Sequence, residues 1–570
     1  MKQLLTETLR FCGYNARLHN LTAHRLTPLF LSAILLCSTS QLLAIDYYVH
    51  PVTGDDANTG TDIRTPWKTL EKASSAPLKP GDRVLLAGGQ TFKGQLLFQG
   101  LAGTPQKPIT FSSYQPQLPA SSEPRATIDG RGYLAALQLS DCKHITVANL
   151  ILTADGGGLP GNSPKKADMR CGLLVKAEAD GDYAGVSLTN LLVRDVSFEE
   201  RGFVRPQSDV NTANGTARYG WGIRFIAETH RALLRDISLM DCKITHVDHT
   251  GLKFTAPSNG VQNVRAERIT VLNSGGPGIQ MSGVSGGHFS HLYVNGSGST
   301  NDTRNWGRGS GLWTWSTRDV VIEKSQFLNA NGPGDSAGVH IDYHCRNVVV
   351  QYNLSANNAG GFCEILGNNY NCAYRYNVSV NDGHRVKGEK GAFQEGKTFW
   401  LSGYVGGKNR RGPFNSYFYN NTIYLSSNIV SKVAVAPTTE GVLIANNIFY
   451  IQGKSLLVIG DQSRADSGKV KQLKNILFEN NLYLRADNWP RDVLIQDRAP
   501  RIGNPAFRNP GGFTIADYIP RNEKAVKNQG ILIQKIPEDT IGLTIGLKLE
   551  RDILGNPILN GPDMGAIEIR

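Results

Sequence analysis

Charged residues make up only 19% of this 570-residue chain, and no stretch carries a long helical periodicity. Together these shortages argue against a helical or a disordered protein. Long hydrophobic runs are also missing: the apolar segment from Leu29 to Cys37 is about nine residues, too short to cross a bilayer. Cysteine is sparse. The six that follow residue 44 (Cys142, Cys171, Cys242, Cys345, Cys363 and Cys372) lie too far apart for a disulfide framework, so buried thiols are expected. Cys345, Cys363 and Cys372 are near enough in sequence to permit one bridge. Zinc-type cysteine spacing and stacked RNP-type aromatics are absent, which removes the usual signatures of a nucleic-acid partner.

What is present points outward from the cell. Lys2, Arg10, Arg17 and Arg25 precede the apolar run, and small residues follow it up to Ala44, the pattern of a signal peptide over residues 1–44. A secreted or periplasmic protein with no membrane span is the expectation. Removing that segment takes away four basic residues and one acidic one, leaving 56 basic against 47 acidic. A net positive exported protein suits an anionic polysaccharide as partner, although the charge can also serve solubility alone. A monomer is expected.

The remaining chain reads as a solenoid. Glycine, numbering 62, starts a recurring motif of Gly, apolar, variable, apolar: Gly172-Leu-Leu-Val175, Gly222-Ile-Arg-Phe225, Gly251-Leu-Lys-Phe254, Gly278-Ile-Gln-Met281, Gly311-Leu-Trp-Thr-Trp315 and Gly338-Val-His-Ile-Asp342. From Gly222 to Gly338 the steps are 29, 27, 33 and 27 residues, within the range of stacked repeats. The leucine/asparagine consensus of leucine-rich repeats and the Trp-Asp signature of propeller blades are missing. Asparagines instead close successive strands, at Tyr352-Asn353, Tyr376-Asn377, Asn420-Asn421, Asn446-Asn447 and Asn480-Asn481. Asparagine suits stacked turns because it tolerates the left-handed backbone region. The fold expected is an all-β, right-handed parallel β-helix, with an N-terminal cap and first coils over 45–125, coils with a groove over 126–490, and a C-terminal cap or tail over 491–570.

In each repeat the two apolar residues face the core and the one between them faces out. The outward column therefore runs Arg224, Lys253, Gln280, Trp313, His340, with Trp315 and Asp342 two residues further along. In the next coil, counting from Gly360 turns Phe362 and Glu364 outward and sets Glu364 beside Asp342. Two carboxylates about 5–6 Å apart are a retaining-glycosidase arrangement, one as nucleophile and the other as acid/base. The same pair can alternatively form a calcium site or a solvated polar ladder; the hydrolytic chemistry requires no cofactor. Asp335 is a third carboxylate and His340 a base or hydrogen-bonding group. Arg224, Lys253 and Gln280 are expected to bind substrate, and Trp313 and Trp315 to stack on sugar rings.

The strand, loop and short helix that begin Asp46-Tyr-Tyr-Val-His-Pro51 resemble the N-terminal cap of pectate-lyase-like β-helix proteins. Residues 311–383, with Gly311-Leu-Trp-Thr-Trp315, Asp335, His340-Ile-Asp342, Gln351-Tyr-Asn353 and Gly360-Gly-Phe362, resemble the core of secreted bacterial β-helix glycoside hydrolases. That resemblance implies a carboxylate-based hydrolase whose acids lie on these coils; the basic charge balance adds the expectation of an acidic or sulfated polysaccharide as substrate. A polysaccharide lyase is the alternative, with Lys253, Arg224 and His340 as base and charge-neutralising groups. A non-catalytic glycan-binding solenoid is the third reading.

Overall fold

The computed structural model describes residues 44–570 except 117–122, 160–168, 207–217, 299–303, 305–307, 408, 460–472 and 560. The expected signal peptide thus lies outside the described residues. Among the described residues the strands form three parallel sheets of 15, 12 and 14 strands, each coil of the chain contributing in turn to all three. This is the expected right-handed parallel β-helix. Strand stacking runs from Asp46–Val49, which pairs with Arg83–Ala87, to the last ladder, which joins Leu482–Tyr483 to Arg501–Ile502.

The glycine repeat has a steric cause. A Cβ on Gly222, Gly251, Gly278 or Gly311 would lie 2.4–2.7 Å from the carbonyl oxygen of the corresponding glycine one coil on. No real Cβ tolerates that approach. The apolar partners of each repeat, such as Ile223/Phe225, Leu252/Phe254 and Ile279/Met281, fill one continuous core with the inward residues of the other two sheets. The short helix Leu70–Ser74 adds Leu70 and Ala73 to this core.

The asparagines form an internal ladder. Nδ2 of Asn353 donates to Oδ1 of Asn377 at 3.1 Å, Asn377 to Asn421 at 2.9 Å, Asn421 to Asn447 at 2.9 Å and Asn447 to Asn481 at 2.9 Å. Asp497 terminates the row, accepting from Asn481. The left-handed conformation falls one residue earlier than the ladder, on Tyr352, Tyr376, Asn420, Asn446 and Asn480. Turn geometry and amide stacking are thus divided between two neighbours.

The far end of the core is covered by Trp489, which packs on Phe399, Phe449 and Phe478. The tail then runs along the outside of the coils. Tyr518, Val526 and Met564 pack on Tyr424 and Tyr450, while Ile536 and Leu543 pack on Tyr417 and Tyr419. All six cysteines are free and buried, and burial pushes their thiols up. No bridge joins Cys345, Cys363 and Cys372. Among the described residues no helix is long and apolar enough to cross a membrane.

Candidate active site

Parallel register carries one column of side chains along the outer face of the 12-stranded sheet. Arg224 pairs with Lys253, Lys253 with Gln280, Gln280 with Trp313 and Trp313 with His340. Adjacent coils lie about 4.8 Å apart, so the five expected residues do form a row. Ser282 pairs with Trp315 in the parallel column, at the level where Asp342 follows one coil later.

The expected pairing of Glu364 with Asp342 is corrected. Ile341 pairs with Ile365 and Ala337 with Gly361, an offset of 24 residues, so Glu364 stands against His340. The cause is the corner at Gly361. Its φ of 140° is open to glycine, and a Cβ there would lie 2.2 Å from the carbonyl oxygen of Lys397. The chain turns there such that Phe362, expected outside, packs in the core against Tyr374. Glu364 remains outside, in register with Trp400 of the following coil.

Three titratable groups meet as a result. His340 Nδ1 is 2.5 Å from Glu364 Oε1, and His340 Nε2 is 3.8 Å from Asp342 Oδ1. The first contact is close without the alignment of a hydrogen bond, an ion pair held by charge. Burial opposes the imidazolium, but the carboxylates of Glu364 and Asp342 outweigh it and hold His340 protonated well above its ordinary range. Asp342 is fixed from two sides: Oδ2 accepts from the Trp313 indole N–H at 3.0 Å and Oδ1 from the Tyr343 backbone N–H at 2.9 Å.

Solvent scarcely reaches the cluster. Trp313, His340, Asp342 and Glu364 are 6%, 2%, 6% and 3% exposed. Trp313 therefore presents no open stacking face; its ring meets His340 edge-on at 5.9 Å. Trp315 is more open, 5.7 Å from the ring of Tyr343. Gln280 is buried within the row. Two clefts, of about 500 and 450 Å³, lie at the turns on either side of the sheet rather than over the cluster itself, and Trp315 belongs to the wall of the second.

Asp335 precedes Asp342 by seven residues on the same coil. Its carboxylate is 3.4 Å from Arg308 Nη1, and its backbone N–H donates to Gln394 at 2.6 Å. Arg308 in turn lies over the ring of Phe393 at 4.6 Å.

The basic end of the row is different. Lys253 and Arg224 stand side by side, and neither has a carboxylate partner among the described residues. Burial, with the adjacent Arg224 charge, lowers the Lys253 ammonium to about 7, and burial lowers Arg224 as well. The Arg224 guanidinium lies 4.5 Å over the ring of Trp221 and reaches Met169.

Sequence reasoning missed three residues at this centre. Trp400 continues the row beyond Glu364, and Lys397 places its ammonium 3.9 Å from the Trp400 ring. The segment Gly396-Lys-Thr-Phe-Trp-Leu401 carries the readable signal, with Phe399 and Leu401 flanking Trp400 as Val339 and Ile341 flank His340. Tyr374 had no such signal. From inside the core its hydroxyl lies 3.0 Å from the Val339 carbonyl oxygen and 3.1 Å from that of Glu364, buttressing both strands beneath the cluster. Among the described residues no group of three or more His, Cys, Asp or Glu is gathered in a way that can hold a metal ion.

No protein-family model matches the chain. Among curated proteins it is similar to a lacto-N-biosidase of Bifidobacterium longum subsp. longum, 25% identical over 625 residues that take in 92% of this chain and 36% of that protein. The chain thus spans about a third of the length of this relative. Among solved structures it is similar to the GH136 lacto-N-biosidase from Eubacterium ramulus, with a TM-score of 0.51, 20% identity, and coverage of 72% of this chain and 67% of that one. It is also similar to XylC, solved in complex with xylose, with a TM-score of 0.50, 10% identity, and coverage of 92% and 98%. Both structural likenesses are to the fold, and they agree with the parallel β-helix described above.

Proposed function

We propose that this protein is an exported glycoside hydrolase that cleaves a polysaccharide or oligosaccharide bearing acidic or sulfate groups, acting as a monomer without a required metal. The observation that carries the reading is the Asp342–His340–Glu364 cluster, gathered on the outer face of the sheet in line with a row of polar and aromatic side chains. The similarity to a lacto-N-biosidase supports the same reaction type.

Asp342 is the reacting carboxylate. Both its oxygens accept N–H donors, which fix its direction and suit an acceptor-only group. Glu364 is committed to His340, so it acts as a positioning residue: it keeps the imidazolium charged, and the imidazolium orients Asp342. Asp335, the remaining carboxylate on the Asp342 coil, stands beside Arg308 at 3.4 Å, beyond the extended Val339–Ile341 strand and too far from Asp342 to act on the same glycosidic bond, so it takes a substrate-binding role. Arg224 and Lys253, both lacking a carboxylate partner, favour an anionic glycan further along the row.

A set of aryl glycosides with good and poor leaving groups tests these roles, lacto-N-biosides being assayed first alongside acidic and sulfated glycans. Asp335→Asn is expected to lower activity on the activated and the poor substrates alike, through weaker binding. Asp342→Asn is expected to lose both. If Glu364→Gln keeps activity on the activated substrates and loses it on the poor ones, the acid is Glu364.

A second reading rests on Lys253. An amine lowered to about 7 is suited to act as a base, and the adjacent Arg224 can neutralise a uronate carboxylate. Those are the requirements of a lyase. An unsaturated product absorbing near 230 nm, lost in Lys253→Met, would establish that reading.

A further inference from the structure

The cleft of about 450 Å³ at the turn between the 12-stranded and 15-stranded sheets adjoins the candidate active site. Its volume is that of an ordinary small-ligand site. Trp315, Arg318, Arg346 and His344 line it, together with Ser258 and Asn259. Trp313 pairs with His340 and Thr314 with Ile341, so Trp315 is level with Asp342 one coil away, about 4.8 Å along the stack. A sugar beside the reacting bond therefore reaches this corner.

The charge arrangement there is unbalanced. Arg318 and Arg346 are direct register partners on neighbouring strands, a placement in which like charges repel. No acidic residue lines the cleft. Arg318 Nε donates to Ser285 Oγ at 2.9 Å, and the Arg346 guanidinium lies 4.5 Å over the ring of Tyr370. Neither has a carboxylate partner among the described residues. Asp319, the nearest acid in sequence, is engaged by Asn347.

Other arginines of this same sheet are treated differently. Arg83 is paired with Asp46, Arg235 with Asp182 and Arg265 with Glu267, at 2.6, 2.7 and 2.9 Å. The sheet thus pairs these three with carboxylates and satisfies the buried Arg375 with Gln351, Tyr419 and the Gly546 carbonyl, but leaves two stacked ones with neither a carboxylate nor such a set of acceptors at the cleft beside Asp342. The Trp315 indole N–H is also buried without an acceptor there. Two guanidinium forks one coil apart match the oxygens of a carboxylate or sulfate, which a neutral hydroxyl cannot replace.

We infer that the Trp315–Arg318–Arg346 corner is a subsite for an anionic group of the glycan, a carboxylate or a sulfate carried within a sugar or two of the bond that is cleaved. This rests on the hydrolase reading above, and it names the group that the substrate carries.

Calorimetric binding of lactose, lactose 3′-sulfate and 3′-sialyllactose at low salt to the wild type and to Arg318→Gln/Arg346→Gln tests it. The wild type is expected to bind at least one charged sugar about tenfold more tightly than lactose, with the preference fading in salt. The double variant is expected to bind all three alike, and Arg265→Gln, on the same sheet, to keep the preference. The sulfate and carboxylate arms tell which group is recognised. The inference is overturned if neither charged sugar exceeds lactose, or if the double variant retains the preference with an unchanged melting temperature. Binding requires no cleavage, so this result and the hydrolysis by Asp342 can fail separately.

Discussion

The asparagine ladder inside the core and the polar row outside the 12-stranded sheet obey the same stacking rule and end in opposite conditions. In the ladder from Asn353 to Asn481 each amide finds the next, and Asp497 closes the series. In the outer row the like-charged Arg224 and Lys253 are neighbours, and three coils on a histidine is squeezed between two carboxylates. Buried polar groups that satisfy one another stabilise, whereas buried groups held against their preference retain free energy for a ligand or a reaction. This contrast supports the proposed placement of function on the outer row, above an inner ladder whose amides satisfy one another.

The comparison can be broken from either side. On the outer row, Glu364→Gln removes the main attraction holding the His340 proton. Activity should fall on the order of 10²-fold, with the alkaline limb of the pH–rate profile moved to lower pH. The stability profile should follow. A histidine raised in the folded state contributes stability that is complete below pH 6.5 and is lost as pH rises through its elevated value. Melting temperatures between pH 6 and 10 should therefore decline at lower pH in Glu364→Gln than in the wild type, and coincident profiles would contradict the ion-pair account.

Asn421→Ala attacks the other side. It leaves the Asn377 backbone and side-chain N–H groups without their Oδ1 acceptor and the Tyr374 carbonyl without its side-chain donor inside the core, a cost of about 2–4 kcal/mol. Denaturant unfolding should show that loss, while activity per folded molecule stays unchanged. Trp313→Phe is the mildest change. It deletes one N–H donor to Asp342 and keeps the ring, so kcat should drop about tenfold with little change in melting temperature.

How much of this was legible in the sequence differs along the same column. Arg224, Lys253, Gln280, Trp313 and His340 are readable because each sits between two inward residues, apolar except for Thr314, after a glycine that the next coil crowds. Glu364 was not, because two adjacent glycines leave the count open, and a corner conformation at Gly361 rather than the apolar pattern sets the register. Glu364 does face away from the core, but it is buried beside His340, and Phe362, expected outward with it, faces in. Trp400 was missed after a 36-residue coil that interrupts the spacing, and Tyr374 because a core tyrosine bonded to two carbonyls has no periodic mark. The internal asparagines were read as turn formers; the ladder they build depends on side-chain stacking between coils.

The most direct test measures reducing ends and absorbance near 230 nm in one reaction, with wild type and Asp342→Asn, on whichever glycan the wild type degrades. The account predicts that the wild type releases reducing ends without absorbance, and that Asp342→Asn loses this activity on the order of 10³-fold while melting at the wild-type temperature. Rising absorbance, or an Asp342→Asn variant as active as the wild type, would contradict it.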